Sequence, residues 1–295
     1  MKSSVQIGYA KINLHLDVTG ILPRGYHSVN TVMQSVSLCD TVTLTKRADD
    51  KINISCSVSD VPLGADNLAH KAAMAFRQRA AVCLGADIHI EKRIPMAAGL
   101  AGGSADAAAV LRGMNELCGD LLSAEELCDI GSVLGADVPF CIVCGCRFAD
   151  GKGDLLHPFP SMPDCTVLIA CGGEGVSTPM AYGMLDTLYD GFGENSGYVP
   201  RELDTLKEAC ASGDAHRVAS AVYNIFESPI LSVRPVAAQI KQTMLDCGAL
   251  GAMMSGSGPS VFGIFEDEQS ARLSADKIAQ MGVVAHLCRP VDSLL

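Results

Sequence analysis

Residues Pro95–Ala109 read P-M-A-A-G-L-A-G-G-S-A-D-A-A-A. Glycines at 99, 102 and 103 give way without a break to strong helix formers. That is the composition of a bare backbone loop feeding a helix N-terminus. Such a loop presents unpaired N–H groups and the positive end of the helix dipole to one point. With no side chains in the way the backbone can approach a phosphate closely, which predicts an anion site. A glycine-rich turn before a buried Ala-rich helix has the same spelling, and this stretch alone does not separate the two.

Working outward, Ile88–Arg93 reads as a strand delivering the chain to the loop, and Ser104–Leu117 as the helix after it. Ser104, at the junction, is placed to N-cap that helix or to offer a hydroxyl to a metal-bound phosphate. Asp106, in the first turn, suits the helix dipole or a share in holding Mg²⁺. Lys92 and Arg93 just upstream, and Lys11 in the first strand, are candidate cations for a phosphate or ordinary surface charge.

The whole chain narrows the choice. Its 295 residues suffice for one large domain or two medium ones. A hydrophobic content of 48% with mean hydropathy +0.26 describes a packed globular protein. The apolar runs are broken by Gly or charge before membrane-spanning length, and M-K-S-S-V-Q-I-G-Y lacks an apolar signal core. Thirteen cysteines, odd in number and scattered through core-like segments, suit reduced thiols and a cytoplasmic location. A net charge of −11 argues against nucleic acid or anionic membrane as partner. An acidic chain that holds a phosphorylated ligand must therefore use local donors and a few placed cations.

The first part reads β-rich: 5–18 alternates from Ala10 onward, 24–27 is a turn, and Val29–Leu38 and Thr41–Thr45 are further strands. A helix opens at Asp66-Asn67-Leu68, with Asp66 as its N-cap, and runs to about Arg79. Ser123-Ala-Glu-Glu126 spells a capping box for a helix that stops at Gly135. Val138–Phe148 follows as a predicted strand. Ala149–Pro163, rich in Gly, Pro and Asp, marks a boundary between domains at 1–155 and 156–295. Beyond it lie a strand at Thr166–Ala170 and helices near Thr178–Leu188, Arg201–Ser212, His216–Phe226 and Val233–Cys247. A hairpin-like segment over Gly248–Phe265, then a last helix and strand, complete the chain.

Standard nucleotide signatures fail: there is no G-x-x-x-x-G-K-[ST], and no G-x-G-x-x-G follows a strand. A second glycine segment, M-M-S-G-S-G-P-S-V-F, stands at 253–262. Cys141, Cys144 and Cys146 read as buried thiols, with zinc the minor alternative, since Cys141 and Cys144 would point to opposite faces of a strand. No H-E-x-x-H occurs, and G-S-G-P-S at 256–260 lacks the G-x-S-x-G form of a hydrolase elbow.

Taken together the motifs resemble the GHMP kinases. The resemblance covers A-K-I-N-L at 10–14, R-G-Y-H at 24–27, D-N-L at 66–68 and the glycine loop through Leu111. It continues with G-A-D-V-P-F at 135–140, S-T-P at 177–179 and M-S-G-S-G-P-S-V-F at 254–262. It implies a two-domain α+β architecture with the active site in a cleft between the domains. It also implies ATP as co-substrate with Mg²⁺, the metal held by the nucleotide with Ser104 as a further oxygen donor. The ATP phosphates would lie on Pro95, Met96, Ala97, Ala98, Gly99, Leu100, Ala101, Gly102, Gly103, Ser104 and Ala105, with Asn67 toward the adenine. Asp137 matches the family's catalytic aspartate and Lys11 the lysine that serves with it.

A-K-I-N-L, G-Y-H and G-A-D-V-P-F are similar to the branch whose acceptor is 4-diphosphocytidyl-2-C-methyl-D-erythritol. The resemblance thus implies phosphorylation of its 2-hydroxyl, in the non-mevalonate route to isoprenoid precursors. By the same resemblance Tyr26 and Tyr182 sandwich the cytosine, His27 hydrogen-bonds to it, and Asn13 and Thr178 are polar contacts. The small molecule, bearing a cytidine diphosphate, would be the partner, to a monomer or homodimer. Departures from the family pattern are Ala98, Ala101 and Ala105 in the loop, N-I-F-E at 224–227, read as a structural difference, and G-K-G-D at 151–154. The alternatives are a GHMP kinase for mevalonate or homoserine, or a silent nucleotide-binding relative.

Overall fold

The alternation that begins at Ala10 belongs to one long strand, β1 (Ser3–Ile21). The R-G-Y-H turn reverses it, with Leu22 N–H donating to Tyr26 O at 2.6 Å. β2 (His27–Lys46) runs back beside it, so that Lys46 N–H donates to Lys2 O at 3.0 Å. The two strands expected at Val29–Leu38 and Thr41–Thr45 are thus one. Asp40, a poor strand residue by propensity, does not break it: its buried carboxylate accepts the N–H groups of Arg93 and Ile94. The computed structural model describes residues 2–192 and 197–293.

The chain divides into two compact units, Met1–Ala10 with Leu38–Met96 and Ala101–Cys144, and Lys11–Ser37 with Ala97–Leu100 and Gly145–Leu295. β1 and β2 each contribute a part to either unit. The first unit adds β3 (Ile52–Cys56), α1 (Leu68–Ala80), β4 (Ala86–Glu91), α2 (Gly102–Cys118), α3 (Ala124–Leu134) and α4 (Val138–Val143). Its strand order is β3-β4-β2-β1. The cap of α1 is Asn67 and not Asp66: Asn67 Oδ1 accepts Ala69 N–H at 2.8 Å while Nδ2 donates to Pro62 O at 2.6 Å. The capping box on α3 forms as its spelling requires, and the helix ends at Gly135.

The Ala run of α2 is buried, and its first turn lies directly against β1. A Cβ on Gly8 would stand 2.8 Å from Ala105 O, so this approach needs glycine in the strand. Val138–Phe148 is not a strand. It divides into α4 and β5 (Cys146–Asp150). Every residue from Val138 to Ile142 is buried, so the segment carries no periodicity to tell helix from strand, and Pro139 pre-sets the first helical turn. Opposite strand faces therefore do not describe Cys141 and Cys144.

The second unit continues with β6 (Leu155–Pro158), β7 (Thr166–Cys171), α5 (Thr178–Tyr189), α6 (Asp204–Ser212), α7 (Ala215–Ala221) and β8 (Tyr223–Asn224). After these come α8 (Glu227–Val233), α9 (Pro235–Asp246), β9 (Gly251–Met254), β10 (Ser260–Phe265), α10 (Glu268–Ala279), β11 (Ala285–Cys288) and β12 (Pro290–Val291). The expected helix at His216–Phe226 gives way to β8 after Ala221, which pairs parallel with β1 at His15 and Leu16. The helix expected over Val233–Cys247 is α9; it starts after Arg234, because a residue before proline is pushed out of the helical region, and the short α8 ahead of it is unexpected. β5 and β12 pair with the first half of β2. A separate antiparallel sheet has the order β11-β7-β10-β9, and Ile240, Met244 and Ile278 of α9 and α10 pack on its Leu168, Val261 and Phe265. Each such side chain contributes roughly 1.5–3 kcal/mol on burial. No described helix is long and apolar enough to cross a membrane.

Candidate active site

In the first unit the glycine loop ends as its composition predicts. Ala101 holds the N-cap position of α2 at φ 58° with no side-chain cap, and the helical ladder starts with Ala105 N–H on Ala101 O at 2.9 Å. The N–H groups of Gly102, Gly103 and Ser104 therefore have no intrahelical acceptor. Ser104 is the third residue inside the helix and does not cap it. A Cβ built on Gly135 would meet Ser104 Oγ at 4.0 Å, so the hydroxyl faces the turn that carries Asp137. Asp137 is half-buried at the N-cap position of α4, and its backbone oxygen accepts Cys141 N–H at 3.1 Å. This unit thus gathers bare amides, a hydroxyl and a carboxylate, a set suited to a phosphate and an attacking hydroxyl. Of the other loop residues here, Met96 is exposed and Ala105 buried, while Ala101 takes a left-handed conformation that costs roughly 1–2 kcal/mol for a residue with a Cβ.

Lys92 is neither surface charge nor a phosphate ligand. Its Nζ donates to Asp40 Oδ2 at 2.5 Å and to Asp106 Oδ2 at 2.7 Å, and all three side chains are nearly inaccessible. Asp106 thereby braces the loop from below, with its Oδ1 buried and without a hydrogen-bond partner among the described residues. Arg93 is exposed and pairs with Glu91. Burial pushes the Asp106 carboxyl up to about 7, against the opposing pull of Lys92. The folded state then holds this proton more tightly than the unfolded chain, whose carboxyl titrates near its ordinary value of 3.8. The contribution of Asp106 to stability should fall as pH rises from about 4 to about 7, against the opposite contribution of His15, whose folded value lies below its ordinary one. Denaturant midpoints of an Asp106→Asn variant should therefore rise with pH relative to those of the parent across this window; the same pH dependence in both would refute the assignment.

The second unit ties the rest of the loop to β1. Lys11 N–H donates to Leu100 O at 3.2 Å, and Ser255 Oγ reaches Gly99 O at 3.1 Å and Asn13 Oδ1 at 3.4 Å. Lys11 is buried on β1, and its Nζ donates to Asn13 Oδ1 at 2.7 Å. Asn13 Nδ2 donates to Thr31 Oγ1 at 2.8 Å, whose hydroxyl in turn donates to His15 O at 2.8 Å. Each polar side chain is thus fixed by the next. Ala97 has φ 50°, and Ala98 is buried.

Sequence reasoning missed what holds the second glycine segment. Asn224 Nδ2 donates to Met254 O and Gly256 O at 2.7 and 2.8 Å, and Glu227 Oε1 accepts Met254 N–H at 3.0 Å. N-I-F-E is therefore the clamp on this loop; its Asn and Glu were the available signal. Also missed was the continuation of the polar face of β1 through His15 and Asp17. Asp17 accepts from Tyr198 Oη at 2.6 Å and from Arg201 N–H at 2.8 Å. Burial pushes the Asp17 carboxyl up and, with Arg201 adding to it, His15 down to about 4.

Tyr182 stacks on His27, ring centroids 4.4 Å apart and 24° between planes, with its edge contact to Phe226 beyond. Asp186 Oδ1 lies 2.7 Å from His27 Nε2. Tyr26 is exposed, and Lys152 Nζ of G-K-G-D sits 4.7 Å over its ring. Thr178, exposed, opens α5 behind its cap Ser177. His27 and Tyr182 are thus together, while Tyr26 carries a cation.

The family model described as GHMP kinases N terminal domain matches residues 67–145, and that described as GHMP kinases C terminal matches 206–284. A 4-diphosphocytidyl-2-C-methyl-D-erythritol kinase of Acetivibrio thermocellus is 44% identical over 93% of this chain and 94% of its own. One of Alkaliphilus metalliredigens is 40% identical over 94% and 93%. A crystal structure of 4-(cytidine 5'-diphospho)-2C-methyl-D-erythritol kinase superposes with a TM-score of 0.81 at 29% identity, over 97% of this chain and 99% of that one. With its glycine loop, its A-K-I-N-L network and these relatives, the chain belongs to the GHMP kinase family.

Proposed function

We propose that this protein phosphorylates the 2-hydroxyl of 4-diphosphocytidyl-2-C-methyl-D-erythritol with ATP, giving the 2-phosphate and ADP on the way to isoprenoid precursors. The observation that carries this is identity of 40–44% to enzymes named for that acceptor, over nine-tenths of both chains. The activity requires a nucleoside triphosphate donor, and the amides of Gly102, Gly103 and Ser104 are the proposed cradle for its phosphates, with residues Pro95 to Ala101 and Ala105 shaping it and Asn67 toward the adenine. Segments 1–155 and 156–295 are the proposed N- and C-terminal kinase domains, a division supported by family models that fall on either side of it.

Asp137 is assigned to orient the acceptor hydroxyl and take its proton, and Lys11 to stabilise the charge that develops on the attacking oxygen. A loose phosphoryl-transfer transition state asks more of position than of base strength, and a half-buried aspartate on a short helix supplies position. Asn13, which holds the Lys11 ammonium, is proposed to contact the acceptor along with Tyr26, His27, Thr178 and Tyr182. Hard oxygen donors at Ser104 and the phosphates fit Mg²⁺, and among the described residues no cluster of three or more His, Cys, Asp or Glu offers a cage of its own. When bound, the ion would neutralise phosphate charge. The proposed location is the cytoplasm, where scattered thiols stay reduced.

An ADP-coupled assay with the cytidyl acceptor, mevalonate and homoserine side by side tests the reading. Turnover of the cytidyl compound alone is expected. Turnover of mevalonate or homoserine in its place would overturn the specificity.

A further inference from the structure

The His27–Asp186 pair has a consequence for which base the protein accepts. Asp186 Oδ1 stands 2.7 Å from His27 Nε2, and an ionised carboxylate can only accept. Nε2 must therefore carry the proton. In the neutral imidazole the second nitrogen, Nδ1, is then a lone-pair acceptor, and it has no hydrogen-bond partner among the described residues. The ring cannot turn freely to exchange the two nitrogens. Tyr182 stacks on one face at 4.4 Å, Phe192 presents its edge at 5.7 Å, and the imidazole is only 10% exposed.

We infer that Asp186 is a specificity-positioning residue: it fixes His27 as the Nε2–H tautomer so that Nδ1 accepts from the exocyclic amine of cytosine and rejects the carbonyl of uracil. The inference rests on the cytidyl reading of the acceptor. Cytosine offers a C4 amine, a donor, where uracil offers a C4 oxygen, an acceptor. Opposed to a lone pair, the uracil oxygen leaves two acceptors facing each other and both desolvated, which is the arrangement a site rejects most strongly. Tyr182 and Phe192 hold the ring plane, and Asp186 decides which edge chemistry that plane displays. The carboxylate side chain is 44% exposed, so replacing it strands no buried charge.

The test compares CDP with UDP as competitive inhibitors, and the cytidyl acceptor with its uridyl analogue as substrates, in the parent protein and in Asp186→Asn. An asparagine amide can accept from or donate to Nε2, so both tautomers become available. The parent is expected to prefer CDP by about tenfold or more, and the variant by no more than about threefold, a loss falling on KM for the acceptor and not on KM for ATP. Ring ¹⁵N spectra, with the His27 signals identified by their absence from His27→Gln, should report Nε2–H in the parent and a mixture in Asp186→Asn. A parent with no base preference and no turnover of the cytidyl acceptor would overturn the functional reading and this inference with it. A parent that prefers CDP, with Asp186→Asn keeping the full preference and a single Nε2–H tautomer, would overturn the inference alone.

Discussion

Asp137→Ala is expected to lower kcat about 10³-fold while ATP still binds, as measured by turnover and by nucleotide titration. Asp137 is the N-cap residue of α4, in the turn faced by the Ser104 hydroxyl. Its backbone stays in place without the side chain, since the α4 turn is made by Val138 N–H on Gly135 O and Cys141 N–H on Asp137 O. The loss should therefore be one of chemistry and not of folding. Asp137→Asn sharpens the test: an amide keeps the shape and loses the proton acceptor, so turnover well above that of the alanine variant would mark Asp137 as mainly a positioner. Near-normal turnover of Asp137→Ala would remove it from the reaction.

Gly99→Ala should weaken the fold by about 2–4 kcal/mol and raise KM for ATP, because two penalties act at once. Gly99 has φ 76°, and a Cβ there would lie 2.3 Å from the Ser255 backbone oxygen. The conflict is with main chain on a segment clamped by Asn224 and Glu227, so neither side can yield. Gly103→Ala is the contrast. Its Cβ would meet nothing within 4 Å, and alanine favours a helix over glycine by about 1 kcal/mol. That variant should melt no lower than the parent while still raising KM for ATP, since the added methyl occupies the proposed phosphate space. Equal melting losses in the two variants would show that the loop tolerates no side chain for reasons unrelated to Ser255.

What was legible in the sequence was local. The capping box at Ser123 and Glu126 forms as spelled, and the glycine-to-alanine passage at 99–109 is a loop entering a helix. Local rules misplaced elements where burial erased periodicity, as in Val138–Ile142, or where a distant partner changed the meaning of a residue. Asp40 looks like a strand breaker until the amides of Arg93 and Ile94, more than fifty positions later, are seen to satisfy it. Lys92 looks like surface charge until Asp40 and Asp106 enclose it. The same holds for function: Lys11, Asn13 and His27 sit in recognisable spellings, and so do Ser255 and Asn224, but the groups that Ser255, Asn224 and Asp186 hold are distant in sequence and no short spacing announces them.

The division of β1 and β2 between the two units sets a timetable for synthesis. Every residue of the first unit has been synthesised by Cys144, while the second cannot be completed until the β strands near the C-terminus are made. Through that interval residues 11–37 have been made without β5, β8 or β12, the strands that pair with them. The nascent chain thus carries the whole of the first unit together with an open sheet edge of the kind that invites mispairing. Ribosome-bound chains arrested once Cys144 has cleared the exit tunnel, and before β8 and β12 are made, are where a chaperone should find this protein most in need.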